Sequence, residues 1–345
     1  MIPDNTPRIR RLIKETIELF DLDLQGLSVL TEAANGYFYV TPVIAVLSGA
    51  TVYALARDSQ YGKKEELARY LIKQAGQFNL PNQIEIIYEL GEEYIRNSDI
   101  ITNLGSLRPL DAGVIRNMNH RAIITSMCEN WEIRDEDIDR AECRKRDILI
   151  GAVNEESSHT NIFRYVGFLA MKLVMDSGLE ILNNRYLVIS SDKFGRIVTA
   201  TMQANGAAVQ LCNPEEIESG SIRPGFYDAL ICADYSYDRP IISANGLLTA
   251  EKLKQNFTDV PIIHLAGEVD CRYLRDNQIS CYPEKQGYKR KMSRTLDYLG
   301  PRPLIELHTA GLKVGEILCR ERKDLLSIPE IKKKLADHPF CQIVT

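Results

Sequence analysis

The stretch Arg185–Asn213 limits the choice of fold more than any other part of the chain. It reads RYLVISSDKFGRIVTATMQANGAAVQLCN. Tyr186–Ile189 is a short apolar run of the kind found in buried parallel strands, and apolar residues at helical spacing follow Gly195. Gly206 ends that helix, and Ala207–Leu211 is a second strand. A strand, a tight turn, a helix and a strand within about 30 residues predict a βαβ unit.

The turn of such a unit commonly holds a dinucleotide pyrophosphate at the helix N-terminus. Of the three glycines in the usual fingerprint only Gly195 is present, because Ser190 and Asp192 take the first two positions. A side chain there keeps the backbone away from a pyrophosphate, and Asp192 adds negative charge near the phosphates. At the end of the second strand, Cys212 or Asn213 replaces the acid that usually holds the ribose hydroxyls. The pattern favours the fold more strongly than it favours the cofactor.

Length, charge and cysteine content set wider limits. The 345 residues are enough for two domains with separate cores. A net charge of −5 argues against a nucleic-acid or anionic-membrane surface, and no apolar run approaches the roughly 20 residues that span a bilayer. The N-terminal stretch has the pattern of an amphipathic helix and not of a signal peptide. The eight cysteines are scattered without a CxxC pair, so we expect buried, reduced thiols and a cytoplasmic protein.

The remainder of the chain predicts an α/β protein. Five or six short strands alternate with helices in the first 155 residues, which indicates a parallel sheet covered on both faces. Ile162–Met175 has little polar surface and is predicted to be a buried connector helix. Ile279–Tyr282 is the last predicted strand, Arg302–Leu318 a long returning helix, and Ile328–Ala336 a polar helical tail that ends the chain.

We therefore predict two doubly wound parallel-sheet domains, the second Rossmann-like, joined by the connector helix and the returning C-terminal helix. The first, a flavodoxin-like substrate domain, covers residues 1–157 and 310–345. The second, a nucleotide-binding domain that includes the connector helix, covers residues 158–309. No low-complexity linker separates the two.

Polar side chains follow five successive strands of the first predicted domain. Open α/β sheets bind ligands at the carboxyl ends of their strands, so we expect a concave polar site there. Its candidate substrate-binding residues are Glu32, Arg57, Asn103, Arg108, Glu129, Trp131, Glu132, Arg134 and Asn154. The three arginines would hold a carboxylate or phosphate, or else form structural ion pairs with glutamates. Trp131, the only tryptophan, either walls a pocket or caps a core.

The order of these elements resembles a known fold superfamily. A doubly wound domain, a connector helix, a Rossmann-type domain and a returning helix are similar to the formate/glycerate dehydrogenase-type fold of the D-2-hydroxyacid dehydrogenases and of S-adenosylhomocysteine hydrolase. The run Asp137–Glu155 resembles the segment before the connector helix in those enzymes. The resemblance implies a cleft between the two domains that takes NAD or NADP and a small polar substrate. It also implies a homodimer, because this architecture often pairs through its cofactor domain.

Residue by residue, the resemblance implies altered catalytic positions. Ala266 stands where the dehydrogenases have a substrate-binding arginine, and Glu284 stands where they have the acid–base histidine. His264 and His308 are the other candidates for the acid–base group. The residues that would receive a dinucleotide are Ser190, Asp192, Lys193, Phe194, Gly195, Arg196 and Asn213.

Three functional interpretations follow. In the first, the chain is an NAD(P)-dependent oxidoreductase of the 2-hydroxyacid dehydrogenase type, acting on a substrate that bears a carboxylate or phosphate. In the second, the same scaffold performs a hydrolytic, lyase or transfer step without a dissociable nicotinamide, as Ser190, Asp192 and Asn213 favour. In the third, it is a catalytically silent binding protein with a degraded dinucleotide site. No metal site is indicated by the spacing of histidines, cysteines and acids.

Overall fold

The computed structural model describes residues 6–80, 82–218, 226–257, 259–323 and 328–344. Within them the chain forms two compact units. The first unit combines residues up to Ile162 with those from Gly300 onward, and the second runs from Phe163 to Leu299. The predicted boundaries at 157/158 and 309/310 therefore lie five and ten residues from the observed ones; the returning helix, which begins at Pro301, belongs to the first unit over its whole length.

In chain order, the elements of the first segment are α1 Thr6–Phe20, β1 Ser28–Glu32, α2 Val40–Leu47, β2 Thr51–Leu55, α3 Lys64–Gly76, β3 Ile84–Ile87, α4 Glu92–Asn97, β4 Ile100–Thr102, α5 Ala112–Asn117, β5 Ile123–Thr125, α6 Arg140–Lys145 and β6 Leu149–Val153. Those of the second unit are α7 Tyr165–Asp176, β7 Arg185–Ile189, α8 Lys193–Ala204, β8 Ala208–Cys212, α9 Pro214–Glu218, β9 Ala229–Ala233, α10 Ala250–Asn256, β10 Ile262–Ala266, α11 Cys271–Asp276 and β11 Cys281–Tyr282. The first unit is completed by α12 Pro301–Lys323, α13 Ile328–Lys334 and β12 Cys341–Val344.

The described residues of the first unit form a seven-stranded sheet in the order β12-β6-β5-β4-β1-β2-β3. Its strands are parallel except β12, which runs antiparallel to β6. The order reverses between β1 and β4, so the switch point of this sheet lies there. All the residues of β4, β5 and β6 are buried, as expected for strands covered by helices on both faces.

Helix α12 is an internal part of the first unit. A Cβ added to Gly151 on β6 would lie 2.5 Å from Val314 Cγ1 and 2.7 Å from a methyl carbon of Leu318, both on α12. The second glycine, Gly315, is on α12 itself, and a Cβ added there would lie 3.0 Å from Ile100 of β4. The helix therefore approaches the sheet closely at both glycines: a Cβ at Gly151 would force Val314 and Leu318 to move, and one at Gly315 would require Ile100 to give way slightly.

The described residues of the second unit include a five-stranded parallel sheet in the order β11-β10-β9-β7-β8. Its switch point lies between β7 and β9, and the predicted βαβ unit is β7-α8-β8. Helix α7, the predicted connector, packs against α8 so closely that a Cβ at Gly167 would lie 2.1 Å from Thr201 Oγ1. The predicted class, α/β with two doubly wound sheets and a Rossmann-like second domain, is confirmed.

The structure corrects the predicted C-terminal end. The helix predicted over Ile328–Ala336 ends at Lys334 and is followed by β12, which pairs with β6 in the register Cys341↔Val153. All four residues of β12 are only partly buried, and it is a short edge strand. Its pairing with β6 depends on tertiary contacts that a local pattern of four residues does not contain.

Candidate functional sites at the two switch points

The turn after β7 carries Asp192, whose carboxylate lies at the switch point of the five-stranded sheet. Asp192 Oδ1 accepts a hydrogen bond from the Phe194 N–H at 2.8 Å, so this carboxylate caps α8. Its Oδ2 accepts the N–H groups of Tyr235 (2.8 Å) and Ser236 (3.0 Å) and the Ser236 hydroxyl (3.0 Å). Because Tyr235 and Ser236 follow β9, Asp192 ties together the two loops that border the switch point.

The first turn of α8 has its N–H donors engaged by side chains of the same turn. Besides the bond to Phe194, the Ser190 hydroxyl oxygen accepts the Gly195 N–H at 3.1 Å, and the hydroxyl itself donates to Asp192 Oδ1 at 3.0 Å. A dinucleotide pyrophosphate in this fold binds at those backbone groups. In this chain a carboxylate holds that place, so the residues present do not fit the diphosphate of NAD or NADP in the usual position.

A second carboxylate, Asp234, lies beside the first and has no counterpart among the predicted site residues. It is fully buried and accepts the Ser191 N–H (2.6 Å) and hydroxyl (2.7 Å) through one oxygen. Its other oxygen accepts the Ser236 N–H at 3.2 Å, which Asp192 also accepts. Burial raises the pKa of Asp234, and the nearby charge of Asp192 adds to that rise, whereas the bonds from Ser191 oppose it. The signal in the sequence is the polar run that follows the apolar stretch Ala229–Ala233.

Gly195 performs the packing task expected of the third glycine in the fingerprint. A Cβ at this position would lie 2.3 Å from Ser190 Cβ and 2.9 Å from a methyl carbon of Leu211, so any side chain would push α8 away from the sheet. Phe194 is buried and stacks on Tyr235 with ring centroids 5.1 Å apart. The Lys193 ammonium lies 4.5 Å from the centre of the Phe163 ring. These three residues hold the turn in place.

A cleft of about 350 Å³ lies beside the turn, at the ends of β7 and β8. The residues that line it include Asp192, Arg196, Asn213, Glu215 and Glu216. Asn213 Oδ1 accepts the Glu216 N–H at 3.0 Å, and Glu216 accepts the Asn213 N–H at 2.8 Å. The lining carries more negative than positive side chains, which disfavours a polyphosphate and suits a ligand with hydroxyl or amine donors.

In the seven-stranded sheet, Glu32 ends β1 at the switch point. Its side chain is buried (6% exposed for the residue) and accepts the Ser106 N–H at 2.8 Å from the loop that follows β4. Burial raises the pKa of Glu32, while the bond to Ser106 and the positive charge of Arg108 oppose the rise. A carboxyl group with a raised pKa beside a guanidinium is an arrangement found in acid–base sites.

Arg108 and Arg134 share one carboxylate. Asp137 accepts both Arg134 Nε and Nη2 at 2.8 Å, a bidentate pair, and Arg108 Nη1 lies 3.3 Å from its Oδ2. Arg108 also donates through Nε to the Asn103 carbonyl. The ion pairing predicted as the alternative for these arginines is therefore present: Asp137 is a partner of both, and Glu136 Oε1 also lies 3.7 Å from Arg134 Nε. Arg108 keeps 31% of its side chain exposed, whereas Arg134 keeps 19%.

Other predicted substrate-binding residues organise the same edge of the sheet. Asn103 is buried, and its Oδ1 accepts the Met127 N–H at 3.2 Å. Glu129 is also buried and accepts the Glu155 N–H at 3.1 Å. Asn154 donates to the Pro339 carbonyl at 3.0 Å, so it fixes the segment that leads to β12.

The remaining predicted members differ in exposure. Trp131 and Glu132 are half-buried in the short turn Asn130–Glu132. The negative charge of Glu132 adds to the burial that raises the pKa of the Cys128 thiol. Arg57 is exposed at the end of β2. The structure thus brings Glu32, Asn103 and Arg108 together at the switch point.

The three candidate acid–base residues lie in different surroundings. His308 is buried on α12 and bonded through Nδ1 to the Thr41 hydroxyl, and burial lowers its pKa to about 3. His264 is fully buried on β10, with Nε2 3.0 Å from the Gly267 carbonyl. Glu284 is exposed in the loop after β11. Neither buried histidine is open to solvent, and their catalytic roles stay predictions.

The chain has two mainly parallel sheets, each with a switch point and with polar side chains at the carboxyl ends of its strands. These features define a two-domain, Rossmann-type protein. No family model matches the chain, and no curated protein matches its sequence. Among solved structures, a dipicolinate synthase chain from Bacillus halodurans aligns over 83% of this chain and 96% of its own, with 12% identity and a TM-score of 0.52. The corresponding dipicolinate synthase chain from Bacillus subtilis covers 91% and 99%, with 12% identity and a TM-score of 0.51.

An NAD-dependent formate dehydrogenase from Staphylococcus aureus, in complex with NAD, aligns over 86% of this chain and 95% of its own, with 10% identity and a TM-score of 0.48. At such identities a likeness concerns the fold alone. The predicted resemblance to the formate/glycerate dehydrogenase-type fold is confirmed at that level. Within the described ranges, no helix is long and apolar enough to cross a membrane, and no three His, Cys, Asp or Glu side chains cluster so as to hold a metal.

Proposed function

We propose that this chain is a non-redox enzyme on a dehydrogenase-type scaffold. In this proposal its five-stranded unit binds a nucleoside-like or polyhydroxylated ligand that has no diphosphate. The proposal rests on the hydrogen bonds of the Asp192 carboxylate. It accepts the Phe194 N–H at the start of α8 and the N–H groups of Tyr235 and Ser236 after β9. A bound diphosphate would have to displace this carboxylate or lie against its charge.

The seven-stranded unit supplies the groups for an acid–base step. Arg108 is held by Asn103 and Asp137 and keeps part of its side chain exposed, so it suits a substrate carboxylate or phosphate. Glu32, next to it at the switch point, is the group that would give or take a proton, because its pKa is raised by burial. This division assigns substrate orientation to the guanidinium and proton transfer to the carboxyl group.

An NAD(P)-dependent oxidoreductase acting on a small polar substrate is the second candidate. It is favoured by Gly195, which keeps α8 as close to the sheet as in dinucleotide-binding folds, and by the cleft beside β8. In this alternative, Asp192 would turn away from the start of α8 when the cofactor binds. The two candidates differ in whether the wild-type chain binds a dinucleotide.

A ligand panel read by thermal unfolding separates them. The ligands are NAD, NADP, their reduced forms, adenosine, S-adenosyl nucleosides and small carboxylates. A ligand present at a hundred times its Kd stabilises the folded state by about 2.7 kcal/mol, which raises the unfolding temperature. We expect no shift with dinucleotides for the wild type or for Asp228→Asn, a control at the opposite end of the strands. Asp192→Gly should gain a shift with NAD or NADP, since it removes both the carboxylate and the side chain.

The same panel tests the substrate group. Arg108→Lys keeps the positive charge but loses the planar guanidinium group, which can donate two parallel hydrogen bonds to a carboxylate. The apparent affinity of this variant for small carboxylates should therefore be lower than that of the wild type by about tenfold or more. Arg57→Lys, at the neighbouring strand end, is the matched control and should behave like the wild type. Stabilisation of the wild type by NAD or NADP equal to that of Asp192→Gly would reject the first candidate and select the oxidoreductase.

A further inference from the structure

Two cysteines of the five-stranded unit lie unusually close together. The Sγ atoms of Cys271 and Cys281 are 3.2 Å apart, and both cysteines are free thiols. A disulfide requires about 2.05 Å between the sulfurs, so an approach of about 1.2 Å would join them. The pair is therefore near the geometry in which a sulfur–sulfur bond can form.

The local fold explains why the two thiols meet. Cys271 is the first residue of α11, and Cys281 is the first residue of β11, which pairs with β10 in the register Ile262↔Cys281. Cys271 Sγ lies 3.0 Å from the Lys285 carbonyl and 3.8 Å from the Pro283 carbonyl. Helix, strand and the loop after it therefore converge on the sulfur pair.

His264 supplies a base beside this pair. Its Nε2 is 3.0 Å from the Gly267 carbonyl, and since a carbonyl only accepts, Nε2 carries the proton and Nδ1 carries the lone pair. That Nδ1 is buried and has no hydrogen-bond partner among the described residues. His264 is one of the groups that lower the pKa of the Cys271 thiol. A buried lone pair without a donor next to a thiol is suited to accept the proton of that thiol.

We propose that Cys271 and Cys281 are a redox-active dithiol, which an oxidant of the peroxide class converts into a disulfide, with His264 as the positioned base. The proposal does not depend on which ligand the unit binds. Hydrogen peroxide is a small oxidant, and the pair is not sealed from solvent, because Cys271 is 7% exposed and Cys281 is half-buried.

The chemistry proceeds in two displacement steps. His264 Nδ1 takes the Cys271 proton, and the thiolate attacks one peroxide oxygen: an S–O bond forms, the O–O bond breaks, and the leaving hydroxide is protonated to water. The Cys281 thiol then loses its proton and attacks the Cys271 sulfur, so an S–S bond forms and the S–O bond breaks with loss of a second water. Two thiols are oxidised by two electrons, and one peroxide is reduced to two waters.

Electrostatics assign the roles within the pair. The pKa of the Cys271 thiol is lowered, chiefly because Cys281 donates a hydrogen bond to it, and His264 and the Lys285 backbone contribute in the same direction. The pKa of Cys281 is raised by the same bond and by burial. Cys271 is thus the attacking sulfur and Cys281 the resolving one.

The disulfide would connect α11 to β11. Residues 287–293, which follow β11, form a segment that covers the end of β10. Gly287 N–H donates to the Val269 carbonyl at 2.9 Å, and a Cβ at Gly287 would lie 2.6 Å from His264 Cε1. Ser293 donates through its N–H to the Leu265 carbonyl at 2.8 Å. This segment shields the histidine from bulk water, which keeps its lone pair available to the thiol.

Peptide mass spectrometry of the full chain tests the proposal. The protein is reduced, freed of reductant, treated with hydrogen peroxide, blocked with N-ethylmaleimide and digested with trypsin. Cleavage at Lys254, Arg272, Arg275 and Lys285 places Cys271 in peptide 255–272 and Cys281 in peptide 276–285. We expect these two peptides to appear joined, with a mass two hydrogens below their sum, and to separate after reduction.

The variants make the test specific. Cys271→Ser and Cys281→Ser should each abolish the joined peptides, and Cys212→Ser, which alters a buried thiol of the same unit, should leave them. His264→Asn should slow their formation several-fold without changing the fully oxidised product. Absence of the joined peptides in the oxidised wild type would overturn the proposal, as would a metal ion that copurifies with the chain and protects both thiols from N-ethylmaleimide.

Discussion

Asp192 and Glu32 hold comparable positions in the two sheets: Glu32 is the last residue of β1 and Asp192 lies in the turn after β7, and each of these strands borders a switch point. Asp192 accepts hydrogen bonds from five donors, including the N–H groups of Phe194, Tyr235 and Ser236, and so fixes two loops. Glu32 accepts the Ser106 N–H from one loop, and burial dominates its pKa. The first carboxylate therefore suits a structural task and the second a proton transfer.

The raised pKa of Glu32 predicts a pH-dependent stability. The folded state keeps the proton at pH values where the unfolded chain, with a pKa of about 4.3, has lost it. The stabilisation is therefore complete below that value and is lost as pH rises through the folded pKa, by at most about 1.4 kcal/mol per pH unit. Ser106 and Arg108, which face the carboxyl group, limit the effect.

Glu32→Gln removes the titrating group but keeps an acceptor for the Ser106 N–H. We expect the free energy of unfolding of this variant, relative to the wild type, to increase as pH rises from about 4.3 and to level off above the raised pKa of the folded state. Urea unfolding at a series of pH values measures the difference. Glu65→Gln, at an exposed position on α3, is the control. A pH-independent difference for Glu32→Gln would refute the assignment of a raised pKa.

Among the helices, α7 and α8 depend on one glycine for their contact. A Cβ at Gly167 would meet Thr201 Oγ1 at 2.1 Å and Thr201 Cβ at 2.6 Å, so Gly167→Ala should separate the helices and cost roughly 1–3 kcal/mol of stability. Gly76→Ala at the end of α3 meets no atom within 4 Å and should be neutral or slightly stabilising. Chemical denaturation of both variants decides: equal stabilities would contradict the close packing.

Local patterns predicted the elements well where the strands are apolar on both faces. The βαβ unit β7-α8-β8 was evident from its apolar runs and glycines, but β12 was missed because its four half-buried residues carry no comparable signal. The damaged fingerprint at Ser190 and Asp192 was also visible. The distant partners of Asp192, Tyr235 and Ser236, lie more than 40 residues further along the chain and were not predictable, because they depend on β9 lying beside β7.

The same distinction applies to the other site residues. Asp137 lies three residues after Arg134, a spacing that is recognisable in the sequence, yet its second partner Arg108 approaches only through the fold. Cys271 and Cys281 were considered buried, reduced thiols, and their proximity follows from the packing of α11 beside β11. Sequence thus indicated which residue types occupy the sheet edges, while tertiary structure decided which of them bond to one another.

At the scale of the whole molecule, one of the two units is built from two separate stretches of the chain. The five-stranded unit is a continuous segment, residues 163–299, whereas the seven-stranded unit is completed by residues that come after it. Helix α12 contributes fully buried side chains such as Ile305, Leu312 and Val314 to that unit. Removing α12 would expose the apolar residues of β4, β5 and β6 on one face, because these strands are buried along their whole length.

A chain that stops after Leu299 should therefore retain one unit and lose the other. Hydrogen exchange measured by mass spectrometry should show protected amides in β7, β9 and β10 and unprotected amides in β1, β4 and β5. Fragment 163–299 is the matched control and should unfold cooperatively in urea, since all the partners of its sheet lie within it. Protection of β4 and β5 in the shortened chain would show that α12 is dispensable, contrary to the glycine contacts of Gly151 and Gly315.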